Sequence, residues 1–361
     1  MPSNESLIFV ISGLGSGGAE RQCCLLANYF CKSKTVKIIH FDKDSIDSFY
    51  PLNEKVEVIG LDLLKPSIGF VEKIQNNMNR LLKLRSFLSK QEARTPIVSF
   101  MDRTNVLTLL ASLGLRKSVY VFERSDPSRQ PASVKERLFR DKLYKRAKRI
   151  FVQTTSAAEY FGNTDTVDVV PNALSLPIVF DDETADRKHF VCISRMSPEK
   201  GVYELVEKFI NIKKRAYYPD DKLLLYGEGP DKQKIMELIK DHGLEEDIQI
   251  KGVSQDIVKV LNQARGLVLH SQYEGFPNVV LEALSQGTPV LSTPNNGVID
   301  INDQIRSPFL KVSEEDWFEG TWAKMAEVSP NMNDINGLKR QLAELYSVEK
   351  VAEKFENLIQ K

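Results

Sequence analysis

The stretch from His270 to Leu291, which reads HSQYEGFPNVVLEALSQGTPVL, determines how the rest of the chain is interpreted. The apolar run that ends at His270 predicts a buried strand, and Gly275 with Pro277 interrupts it. A short helix is expected from Pro277 to Gly287, and a second apolar strand should follow. A strand–loop–helix–strand unit of this kind places its loop at the carboxyl end of the first strand, where open α/β sheets bind ligands.

Two carboxylates mark this unit. Glu274 lies in the loop beside Gly275, where it is available to accept hydrogen bonds from a sugar. Glu282 lies in an otherwise apolar helix, and a carboxylate in such surroundings needs a partner, which a pair of ribose hydroxyls would supply. The alternative is that Glu282 is an ordinary solvated helix position. Asn278 is expected to cap the helix, and the amides up to Val280 would face a phosphate.

These residues also resemble a known signature. The segment Glu-Gly-Phe-Pro-Asn at 274–278, with a second glutamate after seven intervening residues, is similar to the E-x7-E motif of retaining glycosyltransferases of family 4. The resemblance implies an α/β chain with the GT-B fold, in which two Rossmann-like doubly wound domains face each other across a cleft. The implied parts are an acceptor domain over 1–172, a nucleotide-sugar domain over 173–345, and a helix over 346–361 that crosses back to the first domain.

The activity that the resemblance implies is hexosyl transfer with retention at the anomeric carbon. The donor would be a nucleotide sugar, with UDP as the expected nucleotide and a hexose or an N-acetylhexosamine as the sugar. The acceptor would be a polyprenyl diphosphate-linked saccharide or another glycan, in the assembly of a surface polysaccharide such as O-antigen. Family members generally work without a metal, so neither a metal nor another cofactor is expected. The expected donor-binding residues are Gly17, Gly18, Gly227, Val253, Glu274, Gly275, Phe276, Asn278, Val279 and Glu282.

Three cations join Glu274 as candidate catalytic residues. The segment from Arg195 to Gly201 resembles the family's R-x-x-x-x-K-G segment, and Arg195 with Lys200 would neutralise the leaving diphosphate. Lone surface cations of this kind are otherwise usually just solvated. Arg124 stands at the tip of a predicted strand, where family members often carry a histidine. Arginine is a poor general base because it stays protonated, so Arg124 would instead stabilise a phosphate or a developing oxyanion.

A glycine-rich loop near the start of the chain offers a competing interpretation. Gly13, Gly15 and Gly18 match G-x-G-x-x-G after a predicted strand, and Asp42 ends the next strand, which is the fingerprint of dinucleotide sites. A nicotinamide-dependent oxidoreductase is therefore an alternative. The other interpretation is a loop that lets a phosphate approach backbone amides. Residues 17–21, Gly-Gly-Ala-Glu-Arg, resemble that loop in family 4 enzymes that extend lipid-diphosphate-linked saccharides.

Two further alternatives remain open. Residues 42–44 spell D-x-D, the metal-binding signature of the other major glycosyltransferase fold, although polar residues after a strand usually form only a turn. The departure at Arg124 from the family's histidine also leaves room for a non-catalytic subunit that binds a nucleotide sugar or a glycan.

The composition limits the class of protein and the cellular compartment that we expect. The chain has 361 residues, of which 42% are hydrophobic and 27% charged, as expected for a soluble globular protein of about two domains. No apolar run approaches the roughly 18 residues of a membrane span, and the start lacks the features of a signal peptide. The four cysteines have neither disulfide nor metal spacing, which favours reduced thiols in the cytoplasm.

The charge is unevenly distributed along the chain. Residues 1–172 carry 26 basic and 18 acidic side chains, a net charge of +8, and the remainder carries 23 and 31. Two stretches, 73–90 and 135–149, hold much of the excess and are predicted to be helical. We expect them to attach the protein peripherally to the anionic inner face of the cell membrane, with Phe139, Leu143 and Tyr144 entering the headgroup region. A solvated surface helix is the alternative, and nucleic acid is not an expected partner because no reading module accompanies the charge.

Overall fold

The computed structural model describes residues 5–43, 47–64, 69–130, 133–178, 187–215, 220–312, 320, 322 and 331–361. These residues form two compact units. Met1–Ser175 and Tyr346–Lys361 make up the first unit, and Leu176–Leu345 the second. Asp44 of the D-x-D triplet lies outside the described residues, so the triplet is not placed as a whole.

The first unit is built on a parallel sheet. Its strands are β1 Ser6–Ile11, β2 Thr35–His40, β3 Val56–Gly60, β4 Ile97–Phe100, β5 Val119–Phe122, β6 Arg149–Val152 and β7 Val167–Val169. Their order is β3-β2-β1-β4-β5-β6-β7, and every neighbouring pair is parallel. Helices cover both faces of such a sheet, which explains why the central strands are continuous apolar runs. From β1 to β3 the chain adds strands on one side of the sheet, and from β4 to β7 it adds them on the other side. The position between β1 and β4 is therefore the switch point, where ligands bind in doubly wound folds.

Two hydrophobic clusters cover the faces of this sheet. The helices are α1 Gly18–Phe30, α2 Phe70–Ser89, α3 Asp102–Ala111, α4 Val134–Tyr144, α5 Thr155–Tyr160 and the final helix Val348–Gln360. One face packs against α1 and the final helix, and the other against α2, α3 and α4. The ring of Phe355 in the final helix lies 5.5 Å from that of Phe122 and 5.2 Å from that of Phe151, centroid to centroid. The final helix is therefore an integral part of the first unit's core.

The second unit repeats the same plan. Its strands are β8 His189–Ile193, β9 Leu223–Tyr226, β10 Ile248–Gly252, β11 Ala264–Leu269, β12 Val290–Ser292 and β13 Leu310–Val312. They pair in parallel in the order β10-β9-β8-β11-β12-β13, so the switch point lies between β8 and β11. The helices are α6 Val202–Lys214, α7 Lys232–Asp241, α8 Ile257–Gln263, α9 Asn278–Ser285, α10 Asn296–Ile305 and α11 Met332–Tyr346. Trp322 is fully buried between Phe190 and Phe209 and completes the core on one face.

The basic stretch 135–149 differs from the sequence-based expectation. The helix α4 ends at Tyr144, and Arg149 instead begins β6 and pairs with Asp168 at 2.7 Å. Leu143 and Tyr144 are buried in the unit, so the prediction that they enter a membrane is wrong. Leu143 packs here because its position on α4 faces the sheet, as the apolar stripe of an amphipathic helix does.

Arg140 is also buried, although the sequence treated it as one of several surface charges. It is 1% exposed and donates from Nη2 to the Pro127 carbonyl at 2.9 Å and from Nε to Asp141 at 2.9 Å. Its Nη1 donates to the carbonyl of Gln130. The side chain therefore anchors the loop after β5 through the carbonyls of Pro127 and Gln130. It does not contribute a charge to the protein surface.

Candidate active site

The motifs of the second unit lie on both sides of its switch point. The segment that begins with Arg195 follows β8, and the segment from His270 to Phe276 follows β11, which pairs directly with β8. Because β8 and β11 are parallel, both segments leave the same edge of the sheet, which is the ligand-binding edge of open α/β folds. The sequence therefore brings the two motifs together through topology.

An ion pair joins the two segments. Lys200 Nζ lies 2.7 Å from each carboxylate oxygen of Glu274, and the Ser271 hydroxyl donates to Oε1 of Glu274 at 2.7 Å. The Lys200 side chain is 24% exposed and that of Glu274 is 12% exposed, so the pair is accessible but partly shielded from water. A cation and an acceptor in this position are suited to a phosphate and to sugar hydroxyls, respectively.

A second, more exposed pair lies beside it. Arg195 Nη2 donates to Oε1 of Glu199 at 2.6 Å, and Ser197 donates to the same oxygen at 2.7 Å. Burial raises the pKa of Glu199, but the hydrogen bonds from Ser197 and Arg195 outweigh it and hold the pKa at about 2. The Arg195 side chain is 66% exposed, so its guanidinium is able to turn toward a bound anion.

Two glycines let the backbone pack closely at this edge. Gly201 has a φ of 60°, and a Cβ there would lie 2.3 Å from the carbonyl oxygen of His270. Gly227 has a φ of 141°, and a Cβ there would lie 2.0 Å from the carbonyl oxygen of Ser194. Both positions therefore require glycine, which keeps the loops after β8, β9 and β11 in contact.

The loop and helix after β11 hold most of the remaining predicted donor-binding residues. Gly275, Asn278 and Val279 are half-buried, and Phe276 is buried. Asn278 is the first residue of α9, and the capping position is taken by Pro277, so the prediction that Asn278 caps the helix is wrong. Proline has no donor to lose at a helix start, which explains its place there.

Glu282 and Val253 lie in contrasting surroundings. Glu282 is 4% exposed within α9, which rules out an ordinary solvated helix position. Val253 is 70% exposed just after β10, next to a glycine with a φ of 70°. The ribose contact of Glu282 and the place of Val253 in the donor site stay predictions.

Two carboxylates pack against the glycine loop of the first unit. A Cβ at Gly13 would lie 2.4 Å from Oδ2 of Asp42, so the acid expected to bind a dinucleotide ribose packs directly against the loop. A Cβ at Gly17 would lie 2.1 Å from Oε2 of Glu20, whose pKa is raised by burial. Gly17 precedes α1 and Gly18 begins it. A phosphate at this helix start would therefore have to displace the Glu20 carboxylate.

Arg124 lies in the first unit and is 9% exposed. It follows β5 and donates from Nη1 to the side chain of Asn172, while its guanidinium carbon lies 4.1 Å from the centroid of the Phe122 ring. Burial lowers its pKa to about 9. Arg124 therefore belongs to the first unit, whereas the other candidate catalytic residues belong to the second.

Sequence reasoning missed several polar residues of these sites. Ser271 and Ser197 orient the two carboxylates of the second unit, and Gln153 and Asn172 lie beside Arg124. All four stand within four residues of the end of a strand, and this position was the available signal. Among the described residues, no cluster of His, Cys, Asp and Glu is suited to a metal ion, and no helix is long and apolar enough to span a membrane.

Two parallel α/β units, each with polar groups at its strand ends, are the architecture expected of GT-B glycosyltransferases. Residues 180–315 match the family model for glycosyl transferases group 1. The chain is 26% identical over 287 residues to a Campylobacter jejuni N-acetylgalactosaminyltransferase, with 76% of each chain covered. That relative's name gives its acceptor as a GalNAc-containing saccharide linked to undecaprenol by a diphosphate. The chain is also 23% identical over 302 residues to the amylovoran biosynthesis glycosyltransferase AmsD of Erwinia amylovora, with 79% of this chain and 80% of the relative covered.

Solved structures agree on the fold. A mutant of S. aureus TarM, solved with UDP, has a TM-score of 0.77 at 13% identity and covers 99% of this chain and 100% of its own. Anabaena Alr3699/HepE, solved with UDP-glucose, has a TM-score of 0.76 at 16% identity and covers 98% and 99% of the two chains. The chain is a glycosyltransferase with the GT-B fold, which confirms the expected fold class and enzyme class. The two relatives described above are named as glycosyltransferases, and neither supports the nicotinamide alternative.

Proposed function

We propose that this enzyme transfers a hexose or an N-acetylhexosamine from UDP, with retention of anomeric configuration, to a polyprenyl diphosphate-linked saccharide. The observation that carries the proposal is the Lys200–Glu274 pair at the switch point of the second unit, with both Lys200–oxygen distances at 2.7 Å. Two C. jejuni relatives are named for transfer to undecaprenyl diphosphate-linked saccharides, and solved structures of similar fold contain UDP. These names support the choice of donor and acceptor.

In this proposal the charges of the second unit handle the donor. Lys200 and Arg195 neutralise the diphosphate that leaves, Glu274 binds hydroxyls of the sugar, and Glu282 binds the ribose. Gly227, Val253, Gly275, Phe276, Asn278 and Val279 surround the donor at the same edge, and the amides at the start of α9 face a phosphate. In the first unit Gly17 and Gly18 supply backbone amides, and Arg124 provides a further cation. The route needs no metal, because side-chain cations stabilise the charge.

The test is transfer by the purified chain. We expect turnover with one member of a UDP-sugar panel and a polyprenyl diphosphate-linked acceptor, and an α-configured product by NMR from an α-configured donor. A product of inverted configuration would exclude the retaining mechanism. UDP-sugar binding without transfer to any lipid-linked acceptor, under conditions where the C. jejuni relatives are active, would favour the non-catalytic subunit instead.

We further propose that the exposed face of α4 attaches the protein to an anionic membrane. Three large apolar side chains stand out from this helix, with Val134 59%, Leu138 65% and Phe139 52% exposed. Exposed basic residues surround them: Lys135, Lys142, Lys145 and Arg146. Basic residues around an exposed apolar patch are typical of interfacial helices, and each cation near an anionic leaflet contributes about 1 kcal/mol.

Helix α2 adds a second apolar strip on the same face of the sheet. Ile74, Met78 and Leu82 are 51%, 50% and 55% exposed and recur every four residues, so they lie along one side of the helix. By contrast, Arg80 and Arg85 of this helix donate to backbone carbonyls of Leu63, Ala111 and Leu113. The contribution of α2 to membrane attachment would therefore be mainly apolar.

The experiment is co-sedimentation with vesicles that contain anionic lipid. The test variant changes Lys135, Lys142, Lys145 and Arg146 to Glu, and the matched control changes four lysines of the second unit, Lys234, Lys240, Lys251 and Lys259, to Glu. We expect the wild type and the control to sediment with the vesicles at low salt, and the α4 variant to stay in solution. Equal sedimentation of the two variants, or no sedimentation of the wild type, would refute the attachment.

A further inference from the structure

Three polar side chains of the first unit lie together at one edge of its sheet. Arg124 follows β5, Gln153 follows β6, and Asn172 comes shortly after β7. These strands are parallel neighbours, so their carboxyl ends meet at the edge where α/β sheets bind ligands. Oδ1 of Asn172 accepts hydrogen bonds from Nε2 of Gln153 at 2.7 Å and from Nη1 of Arg124.

The contacts of Arg124 leave one edge of its guanidinium unused. One face of the group stacks on the Phe122 ring, with 4.1 Å from the guanidinium carbon to the ring centroid. Nη1 is engaged by Asn172, whereas Nε is buried without a hydrogen-bond partner. Nη2 donates to no group within the described parts of the chain either. The Nε–Nη2 edge is the fork that binds carboxylate or phosphate oxygens with two parallel hydrogen bonds.

Arg124 also has no ion-pair partner among the described residues. Its neighbour Glu123 is fully buried, but this carboxylate accepts hydrogen bonds from Ser125 and Tyr144 and makes none with the guanidinium. Across the residues that the structure describes, no carboxylate forms an ion pair with Arg124. A cation that is nine-tenths buried without a counterion is costly, which is consistent with the lowered pKa of Arg124. An anionic ligand would remove this cost.

Gln153 indicates what else the ligand carries. Its Oε1 is buried without a hydrogen-bond partner, while its Nε2 is held by Asn172. The cluster therefore lacks both an oxyanion for Arg124 and a hydrogen-bond donor for Gln153. A phosphorylated saccharide supplies both, since its phosphate carries the charge and its hydroxyls donate.

We propose that Arg124, Gln153 and Asn172 form a binding site for a phosphoryl group of a substrate. The Nε–Nη2 edge of Arg124 binds the phosphate oxygens, Asn172 fixes the orientation of the guanidinium, and Gln153 accepts from a neighbouring hydroxyl. The inference rests on the proposed function, which offers two sources of this chemistry: the diphosphate of the acceptor and that of the donor.

The test measures binding of inorganic pyrophosphate, UDP and uridine to the full-length chain by calorimetry. We expect Arg124→Gln to weaken pyrophosphate by at least about 100-fold, because it removes two charge-assisted hydrogen bonds and keeps much of the side-chain volume. Arg124→Lys, which keeps the charge and loses the fork, should give an intermediate loss. Because Lys200 is itself proposed to contact a diphosphate, Arg124→Gln is also compared within a Lys200→Ala background, where the remaining pyrophosphate site is expected to be the one at Arg124.

Kinetics distinguish the two sources. If the phosphate belongs to the acceptor, Arg124→Gln raises the Michaelis constant for the diphosphate-linked acceptor, leaves that of the same saccharide as a methyl glycoside unchanged, and leaves UDP affinity intact. If it belongs to the donor, the variant weakens UDP and leaves uridine unaffected. Either pattern supports the site.

Two results would overturn the site. One is pyrophosphate affinity in Arg124→Gln equal to that of the wild type, and the other is loss of all pyrophosphate binding in Lys200→Ala. Because the wild type and Lys200→Ala decide the second result, the test holds even if the Arg124 variants do not fold. If Arg124→Gln binds pyrophosphate as the wild type does and the wild type transfers sugar, only this site is refuted. If the wild type transfers no sugar but Arg124→Gln shows the expected loss of binding, only the proposed function is refuted.

Discussion

Replacing Lys200 by alanine is the strongest test of the site in the second unit. In the structure Lys200 Nζ lies 2.7 Å from each oxygen of Glu274. After the substitution, Glu274 keeps the hydrogen bond from Ser271 but loses its counterion. The leaving diphosphate would therefore lose a stabilising cation and face an uncompensated carboxylate. Loss of one group that stabilises transition-state charge lowers kcat by about 10²–10³-fold, and we expect at least this effect.

A double-mutant cycle separates the two effects. In Lys200→Ala/Glu274→Gln the repulsive charge is also removed, so the double variant should be more active than the sum of the single losses predicts. Residues in direct contact couple by about 0.5–3 kcal/mol, which sets the size of the expected recovery. The assay is the initial rate of transfer at varied donor concentration, which gives kcat and KM separately for each variant.

The matched control is Lys232→Ala. Lys232 pairs with Glu228 at 2.8 Å through the same kinds of atom, but as an exposed pair within one segment of the second unit. Exposed pairs contribute little, so this variant should keep wild-type rates and stability. The reasoning fails if Lys200→Ala raises only KM, or if the losses of Lys200→Ala and Glu274→Gln add without coupling.

Two other predictions follow from the second unit. Glu282→Gln should weaken UDP binding by about 10- to 100-fold in calorimetry, since a hydrogen bond to a charged acceptor contributes about 1.5–3 kcal/mol; unchanged affinity would exclude the ribose contact. Gly201→Ala should lower the melting temperature more than Gly243→Ala does. Both glycines have a φ near 60°, but a Cβ at Gly201 meets the His270 carbonyl oxygen at 2.3 Å, whereas one at Gly243 meets no atom within 4 Å. The backbone strain of about 1–3 kcal/mol is common to both, so equal shifts in thermal denaturation would show that the close contact contributes nothing.

The sequence predicted the central strands and the switch-point motifs well. Strands such as β5 and β9 are short and apolar throughout, and the structure has them at Val119–Phe122 and Leu223–Tyr226. Two edge strands, β3 and β13, were missed, because β3 has only one buried residue, Val56, and β13 spans only three residues, Leu310–Val312. A pattern this short is not distinguishable from a loop by periodicity.

The charges were harder to interpret than the strands. A basic run in the sequence does not reveal which of its members turn inward, and Arg140 does so because carbonyls of the preceding loop, at Pro127 and Gln130, accept from it. The partner of Lys200 was equally hidden, since Glu274 lies 74 residues away and is brought near only by the pairing of β8 with β11. Pairings of this kind depend on topology, which local patterns do not encode.

The candidate phosphate-binding cations of the two units differ in their internal partners, and this difference bears on how each would bind a phosphate. In the second unit Lys200 is neutralised by Glu274 and Arg195 by Glu199, whose pKa of about 2 keeps it ionised at neutral pH. A diphosphate must therefore replace these internal carboxylates. Its net binding free energy is the difference between the ion pairs it forms with the two cations and the internal ion pairs that it breaks. As the glycosidic bond breaks, the charge on the diphosphate grows and the exchange becomes more favourable, which concentrates the stabilisation in the transition state. Arg124 in the first unit has no internal carboxylate to displace, so its phosphate would be bound before the reaction begins. Substitutions of Lys200 and Arg195 are therefore expected to act mainly on kcat, and those of Arg124 mainly on substrate affinity.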